Sequence, residues 1–135
     1  MLCEKFVKKY RSHFYFVFRV FVGLLFMQHG AQKLFGMFNF QAAPLVSLFG
    51  LAGIIEFFGG LAIVLGFFTR LAATIAALEM VIAFFMGHVI PSGIWIPIIN
   101  QGELALLFFA SFLILIVHGA GKLSLERALL KKEVF

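Results

Sequence analysis

The chain has one cysteine, Cys3, and no C-x-x-C pair, which excludes an intramolecular disulfide and any thiol relay within these 135 residues. Charge is scarce as well. Charged residues make up 13% of the chain and hydrophobic ones 63%, with 20 Phe among them. A soluble domain of this size, with a mean hydropathy of +1.08, would expose too much apolar surface to stay monomeric. Lipid covers such a surface. No flavin or iron–sulfur motif and no solenoid-type repeat is present, and the length leaves no room for a second domain. The net charge of +5 would suggest nucleic acid in a soluble protein. In a chain this apolar it describes membrane topology instead, and no nucleic-acid partner is expected.

Four apolar stretches run over about 14–35, 46–68, 70–89 and 99–120. Each has about 20 residues, enough to cross the hydrocarbon core at 1.5 Å rise per residue. The expected fold is therefore all-α, an antiparallel bundle of four transmembrane helices forming a single domain over 1–135, with a tail over 121–135. Lys5, Lys8, Lys9 and Arg11 precede the first span, Arg70 lies between the second and third, and Lys122, Arg127, Lys131 and Lys132 follow the fourth. The outer loops, about 36–45 and 90–98, carry no charge, and Lys33 is the one basic residue near that face. Positive-inside asymmetry then places both termini in the cytoplasm. The first span is read as a retained anchor, since its apolar core is long for a signal peptide and no A-x-A site follows. Thr69 is expected to cap the third helix, and Pro91 and Pro97 to keep the second outer loop out of helix. Ser124 to Arg127 suggests a short amphipathic helix on the inner leaflet.

Charges inside the spans are costly, about 2.5–3.5 kcal/mol each at mid-bilayer, so they face protein or water and often mark a working site. On a helical wheel Arg19, Gly23, Phe26, Gly30 and Lys33 share one stripe, with His29 at its margin. Gly53, Glu56 and Gly60 share another, as do Ala72, Ala76, Glu79 and Ala83, and finally Glu103, Leu107, Ala110 and Ile114. Small residues beside polar ones are the pattern of a helix interface in lipid. The glycines are explained by close helix contact alone, and the carboxylates by structural ion pairs, unless the polar groups converge on a chamber. By helical rise, His29, Lys33, His88, Asn100, Gln101 and Glu103 lie near the outer interface, Glu56 and Glu79 near the midplane, and Arg19 toward the cytoplasmic third. Arg19 is expected to approach Glu79 or Glu56, and Lys33 to pair with Glu103 or Glu56. One carboxylate is then left without a full cationic partner, a candidate for proton exchange. His29 and His88 could ligate a metal together with Glu103, or a haem. Two histidines without a defined spacing more simply bond a carbonyl or a headgroup, so neither metal nor haem is expected. His118, near the opposite face, reads as an interfacial residue.

These residues form ordered words. Arg19, Gly23, Phe26, His29-Gly30 and Gln32-Lys33-Leu34-Phe35-Gly36 mark the first span, and Gly53, Glu56 and Gly59-Gly60 the second. Gly66, Thr69-Arg70 and Ala72-Ala73 open the third. Glu103 with Leu106-Leu107-Phe108, then Gly119-Ala120-Gly121 and Ser124-Leu125, bracket the fourth. The chain thereby resembles the DoxX family of small four-span membrane proteins along almost its whole length. One departure is Glu126, where the family's closing motif usually has Asp. With the charge kept, this is expected to affect only a cap in the tail. The resemblance implies a multi-pass protein of the bacterial inner membrane. Relatives resemble the membrane subunit of a thiosulfate:quinone oxidoreductase, and others associate with redox or detoxification partners. The expected function is a redox-linked membrane component that binds a quinone-like or other lipophilic molecule in an outward-facing polar pocket. His29 and Glu56 would exchange protons, and Arg19, Lys33, Glu56, Glu79, His88 and Glu103 would form the ligand-binding set. Electrons would come from a redox partner protein, and a homo-oligomer is possible on these grounds. The alternative is a non-catalytic scaffold or assembly factor for another membrane protein. A transporter is disfavoured, because four short helices enclose little volume.

Overall fold

A computed structural model describes residues 1–134. Its first helix, α1 (Leu2–Phe35), is far longer than the expected span. At about 50 Å it exceeds the hydrocarbon thickness by several turns, so its basic N-terminal third projects beyond the apolar body. A Glu4–Lys8 pair one turn apart and Phe6 packed on Tyr10 continue the helical pattern there. Gly36 ends the helix in the left-handed conformation (φ 64°), where a side chain would be strained. The following loop exposes Met37, Phe38 and Phe40.

Helix α2 (Leu48–Leu65) starts at Ser47, whose hydroxyl accepts a hydrogen bond from the Gly50 amide at 3.0 Å. After the Gly66 turn, α3 runs over Thr69–Ala83, continues as a π-helical segment (Phe84–Val89) and closes with Ile90–Ser92. Two expectations fail here. Thr69 is the first helical residue rather than the cap; Phe68 holds the cap position with left-handed geometry. Pro91 does not end the helix either. Its ring would collide with a carbonyl one turn back in regular α geometry. The widened π turn, in which the Ile90 amide reaches the Phe85 carbonyl, removes that conflict, and the helix stops at Gly93 (φ 69°).

A single helical turn (Pro97–Asn100) leads into α4 (Glu103–His118). Three helical segments, Cys3–Phe35, Leu48–Leu65 and Thr69–Ser92, are long and apolar enough to cross a membrane, and α4 is a shorter apolar helix of 16 residues. A short helix, α5 (Leu125–Leu130), follows the bundle. Among the described residues there is no strand.

The helices pack as an antiparallel ring, most extensively α1 on α2, then α3 on α4 and α2 on α3. Glycines bring α1 and α2 together: a methyl added at Gly60 would sit 2.7 Å from the Gly23 carbonyl oxygen and the Met27 nitrogen. The α1–α4 seam is wider and is filled by rings, with Phe26 centred 4.7 Å from Phe112 and 5.5 Å from Phe108. The α1 stripe faces inward as expected, with Arg19, Gly23, Phe26 and Gly30 buried. The α4 stripe does not. Glu103, Leu107, Ala110 and Ile114 lie on the exposed side, and Ala105, Phe108, Phe112 and Leu115 are buried instead. Bulk decides this rotation, because only large rings bridge the wide seam.

The expected short tail helix is present, with its leucines exposed, and Glu126 alone of its residues is buried against the bundle. The Glu126 amide donates to the Gly66 carbonyl at 3.1 Å, and the Glu126 side chain is fully buried, so its substitution for Asp falls in the interior and not in a solvent cap. Arg70, at the start of α3, donates to the Ile116 carbonyl and lies 3.6 Å from Glu133. Both termini and nearly all basic residues thus gather at one end of the bundle, called here the basic end.

Candidate functional site

At the opposite end, between α1 and α4, lies a cavity of about 280 Å³. Phe26, His29 and Lys33 of α1, Glu56 of α2, and Met80, Ala83 and His88 of α3 form its walls, with Gln101, Leu104, Ala105 and Phe108 closing it. The ring plug of Phe26, Phe108 and Phe112 is its floor. The cavity follows from the loose α1–α4 seam, since rings fill the middle and leave the end open.

Its charged wall is one ion pair. Lys33 Nζ donates to both Glu56 oxygens, at 2.6 and 2.5 Å, and the Glu56 side chain is almost wholly shielded. Gly53 makes the pairing possible: a methyl there would press within 2.9 Å of Lys33 Cβ, so the lysine stem lies across α2 in the space the glycine leaves. Glu79, buried on α3, lies behind this pair, in the electrostatic field of Glu56 and Lys33. Among the described residues its buried Oε2 has no hydrogen-bond partner.

The histidines arrive by different routes. His29 follows the α1 stripe and stands edge-on to Phe108, ring centres 6.0 Å apart. Among the described residues nothing hydrogen-bonds its ring. His88 depends on the π segment. Met80 and Ala83 face the cavity, and regular α spacing would bring Gly87 in next. The extra residue in the π turn shifts the face by one position, so His88 lines the wall and Gly87 meets open space. His88 Nδ1 is then 3.1 Å from the Asn100 carbonyl. Asn100 in turn ties the outer loop together, its amide donating to the Ile94 carbonyl at 2.9 Å and its Oδ1 accepting from the Gly102 amide at 2.8 Å.

Of the residues singled out from sequence, His29, Lys33, Glu56 and His88 therefore meet around one void, with Glu79 against them. Arg19 and Glu103 do not join. Arg19 belongs to the basic end, where Nη1 donates to the carbonyls of Ile63 (2.6 Å) and Val64 (3.0 Å) and Nη2 to that of Leu123 (2.6 Å). The expected approach to Glu79 or Glu56 is replaced by a cation on the C-terminus of α2, a favourable place for it. Gly66 leaves room for the guanidinium, which a side chain there would strike. Glu103 lies on the exposed side of α4, outside the cavity wall. The expected alternative of Lys33 pairing with it is not realised, and among the described residues no three His, Cys, Asp or Glu gather into a metal-binding group. Sequence reasoning placed Gln101 and Asn100 only by depth and gave the tail's Glu126 no interior role. The proline at 91, read as a π-inducing residue rather than a helix stop, was the available signal for the aim of His88.

An all-helical, multi-pass membrane bundle with a polar cavity at one end is the class that this architecture defines. The DoxX family profile matches residues 14–89, more than half of the chain, and the protein belongs to that family. It is also 37% identical over 131 residues to an uncharacterized protein of Haemophilus influenzae strain Rd, covering 93% of this chain and 98% of that relative. No solved structure matches the chain.

Proposed function

We propose that this protein is a redox-linked component of the bacterial inner membrane that binds a quinone-like or other lipophilic molecule in the cavity between α1 and α4, with the cavity opening outward and both termini cytoplasmic. The observation that carries the reading is the convergence of His29, the Lys33–Glu56 pair and His88 on a void whose remaining walls, Gln101 apart, are apolar, Phe26, Met80, Leu104 and Phe108 among them. Apolar walls with a few convergent polar groups are what a ring with carbonyl oxygens requires. Such a ligand, when bound, would supply the two-electron, two-proton chemistry, with electrons delivered by a partner protein.

The chain's own groups have distinct tasks in this reading. Lys33 Nζ uses two hydrogens on Glu56 and retains a third, which is available to an oxygen atom in the cavity. The His29 ring, without a hydrogen bond among the described residues, offers a second donor. Glu56 and Glu79 place two carboxyls beside one ammonium. Glu56, at the cavity wall, is the carboxyl placed to exchange a proton with a bound molecule. The volume suits a ring headgroup.

Purification in mild detergent, followed by extraction and chromatography of retained lipids, tests this reading. Wild-type protein is expected to retain a quinone that Lys33→Met protein loses. Wild-type protein with no bound quinone that retains a membrane partner, and whose Glu56→Gln variant still assembles and functions, sinks the reading in favour of a non-catalytic scaffold. Orientation has its own probe in Cys3, which is exposed. A membrane-impermeant maleimide should label it in inverted vesicles and not in intact spheroplasts, and the reverse pattern refutes the cytoplasmic N-terminus.

A further inference from the structure

A second and larger cleft, about 660 Å³, opens on the same α1–α4 seam at the basic end. Its rim carries Lys8 and Arg11 on the projecting part of α1 and Lys122 just past α4, with His118 beside them. Lys8 shares its charge with Glu4 in an exposed pair at 2.8 Å, an interaction of small worth in water. Among the described residues Arg11 and Lys122 have no carboxylate partner. The inner wall is of another kind: the Tyr15 and Phe18 rings and Ile114 line it, and Tyr15 is fixed by its hydroxyl, which donates to the Gly119 carbonyl at 2.5 Å.

We infer that this cleft binds the headgroup of an anionic phospholipid, with Arg11, Lys122 and Lys8 on the phosphate and the first acyl carbons lying along Tyr15, Phe18 and Ile114. Three points favour a lipid over a soluble phosphate compound. The cations sit at the level where the apolar body of the bundle ends, which is where headgroups lie. The cleft's inner wall is apolar (Phe18 and Ile114), and Phe14 and Val117 on the same two helices are exposed, so an acyl chain has apolar surface to lie on that a soluble anion would not use. The cationic rim lies on a helix projecting past the hydrocarbon thickness, the arrangement by which juxtamembrane basic residues meet acidic headgroups, at about 1 kcal/mol for each Lys or Arg. The site is separate from the outer cavity, and the ring plug lies between them, so either can fail without the other.

The test uses full-length protein in detergent, with native mass spectrometry after addition of phosphatidylglycerol or phosphatidylcholine of matched chains. Preferential retention of phosphatidylglycerol is expected, falling roughly fivefold for each charge removed in Arg11→Gln and Lys122→Gln and recovering in Arg11→Lys. Both substituted residues are exposed, and an unchanged melting temperature checks that folding is preserved. Equal retention of the two lipids, or a preference that survives the double Arg11→Gln/Lys122→Gln change, overturns the inference. Displacement of the lipid by millimolar glycerol phosphate in the water-soluble form, with equal affinity, would overturn the lipid assignment in favour of a free phosphate.

Discussion

Helix α1 packs on two neighbours by opposite means. Against α2 it comes close to the backbone itself, through Gly23, Gly30 and Gly60, with few side-chain atoms between. Against α4 it meets rings with rings, through Phe26, Phe108 and Phe112. In lipid, where apolar burial by itself provides little drive for helices to associate, close packing and polar pairing hold a bundle together. The glycine seam has both, since it also carries the Lys33–Glu56 pair and receives the Arg19 guanidinium at the end of α2. The aromatic seam has bulk at its centre and voids at both ends. Rigidity is thus concentrated on one side of α1 and binding space on the other, and the ion pair is anchored to the rigid side while facing the void.

The sharpest way to break this contrast is to remove one member of the buried pair. Lys33→Met should cost about 3–5 kcal/mol by leaving Glu56 shielded and unpaired, read as a loss of thermal stability in detergent. Changing Lys33 and Glu56 together to apolar residues should restore most of that stability while abolishing ligand retention. A double variant as unstable as the single one would show that the pair is not the cause. On the other seam, Phe112→Ala should cost about 3 kcal/mol, the lower end for a large core ring, because a seam already bordered by voids relaxes readily. Gly60→Ala should cost about 1–3 kcal/mol: the added methyl meets backbone on α1, which cannot swing aside as a side chain can. If Gly60→Ala proved neutral, the α1–α2 seam would not be held by close approach. The smallest effect is expected at Glu103→Gln, within about 0.5 kcal/mol for an exposed position, with ligand retention unchanged.

Much of the first seam was legible before the fold. The 3.6-residue spacing of Arg19, Gly23, Phe26, Gly30 and Lys33 identified the buried face of α1, because small and polar residues in a span have few places to be except against another helix. The same reasoning misplaced α4. Its single carboxylate was taken to define the packing face, although Glu103 lies in the first turn, near the end of the apolar body, where exposure costs little. With apolar residues all around the helix, the pattern offered no other clue. Arg19 was legible as buried but not as a cap on α2, since a wheel can place a guanidinium yet cannot show that three carbonyls lie within its reach. His88 entered the candidate set from its depth alone. What aims it is the π segment ahead of Pro91, a local change of helical pitch that a fixed 100° wheel does not contain.

The amino-acid sequence determined by itself that the chain enters a membrane as a set of apolar helices, and which end collects the basic residues. Length, hydropathy and charge settle those matters. Only the tertiary structure decided that Lys33 takes Glu56 rather than Glu103, that α4 turns its phenylalanines inward and its glutamate out, and that voids remain at both ends of one seam. The physical reason is that an apolar side chain is nearly as well solvated by lipid tails as by protein, so rotation and pairing within the bundle are set by shape, by how closely glycines let backbones approach and how far rings hold them apart.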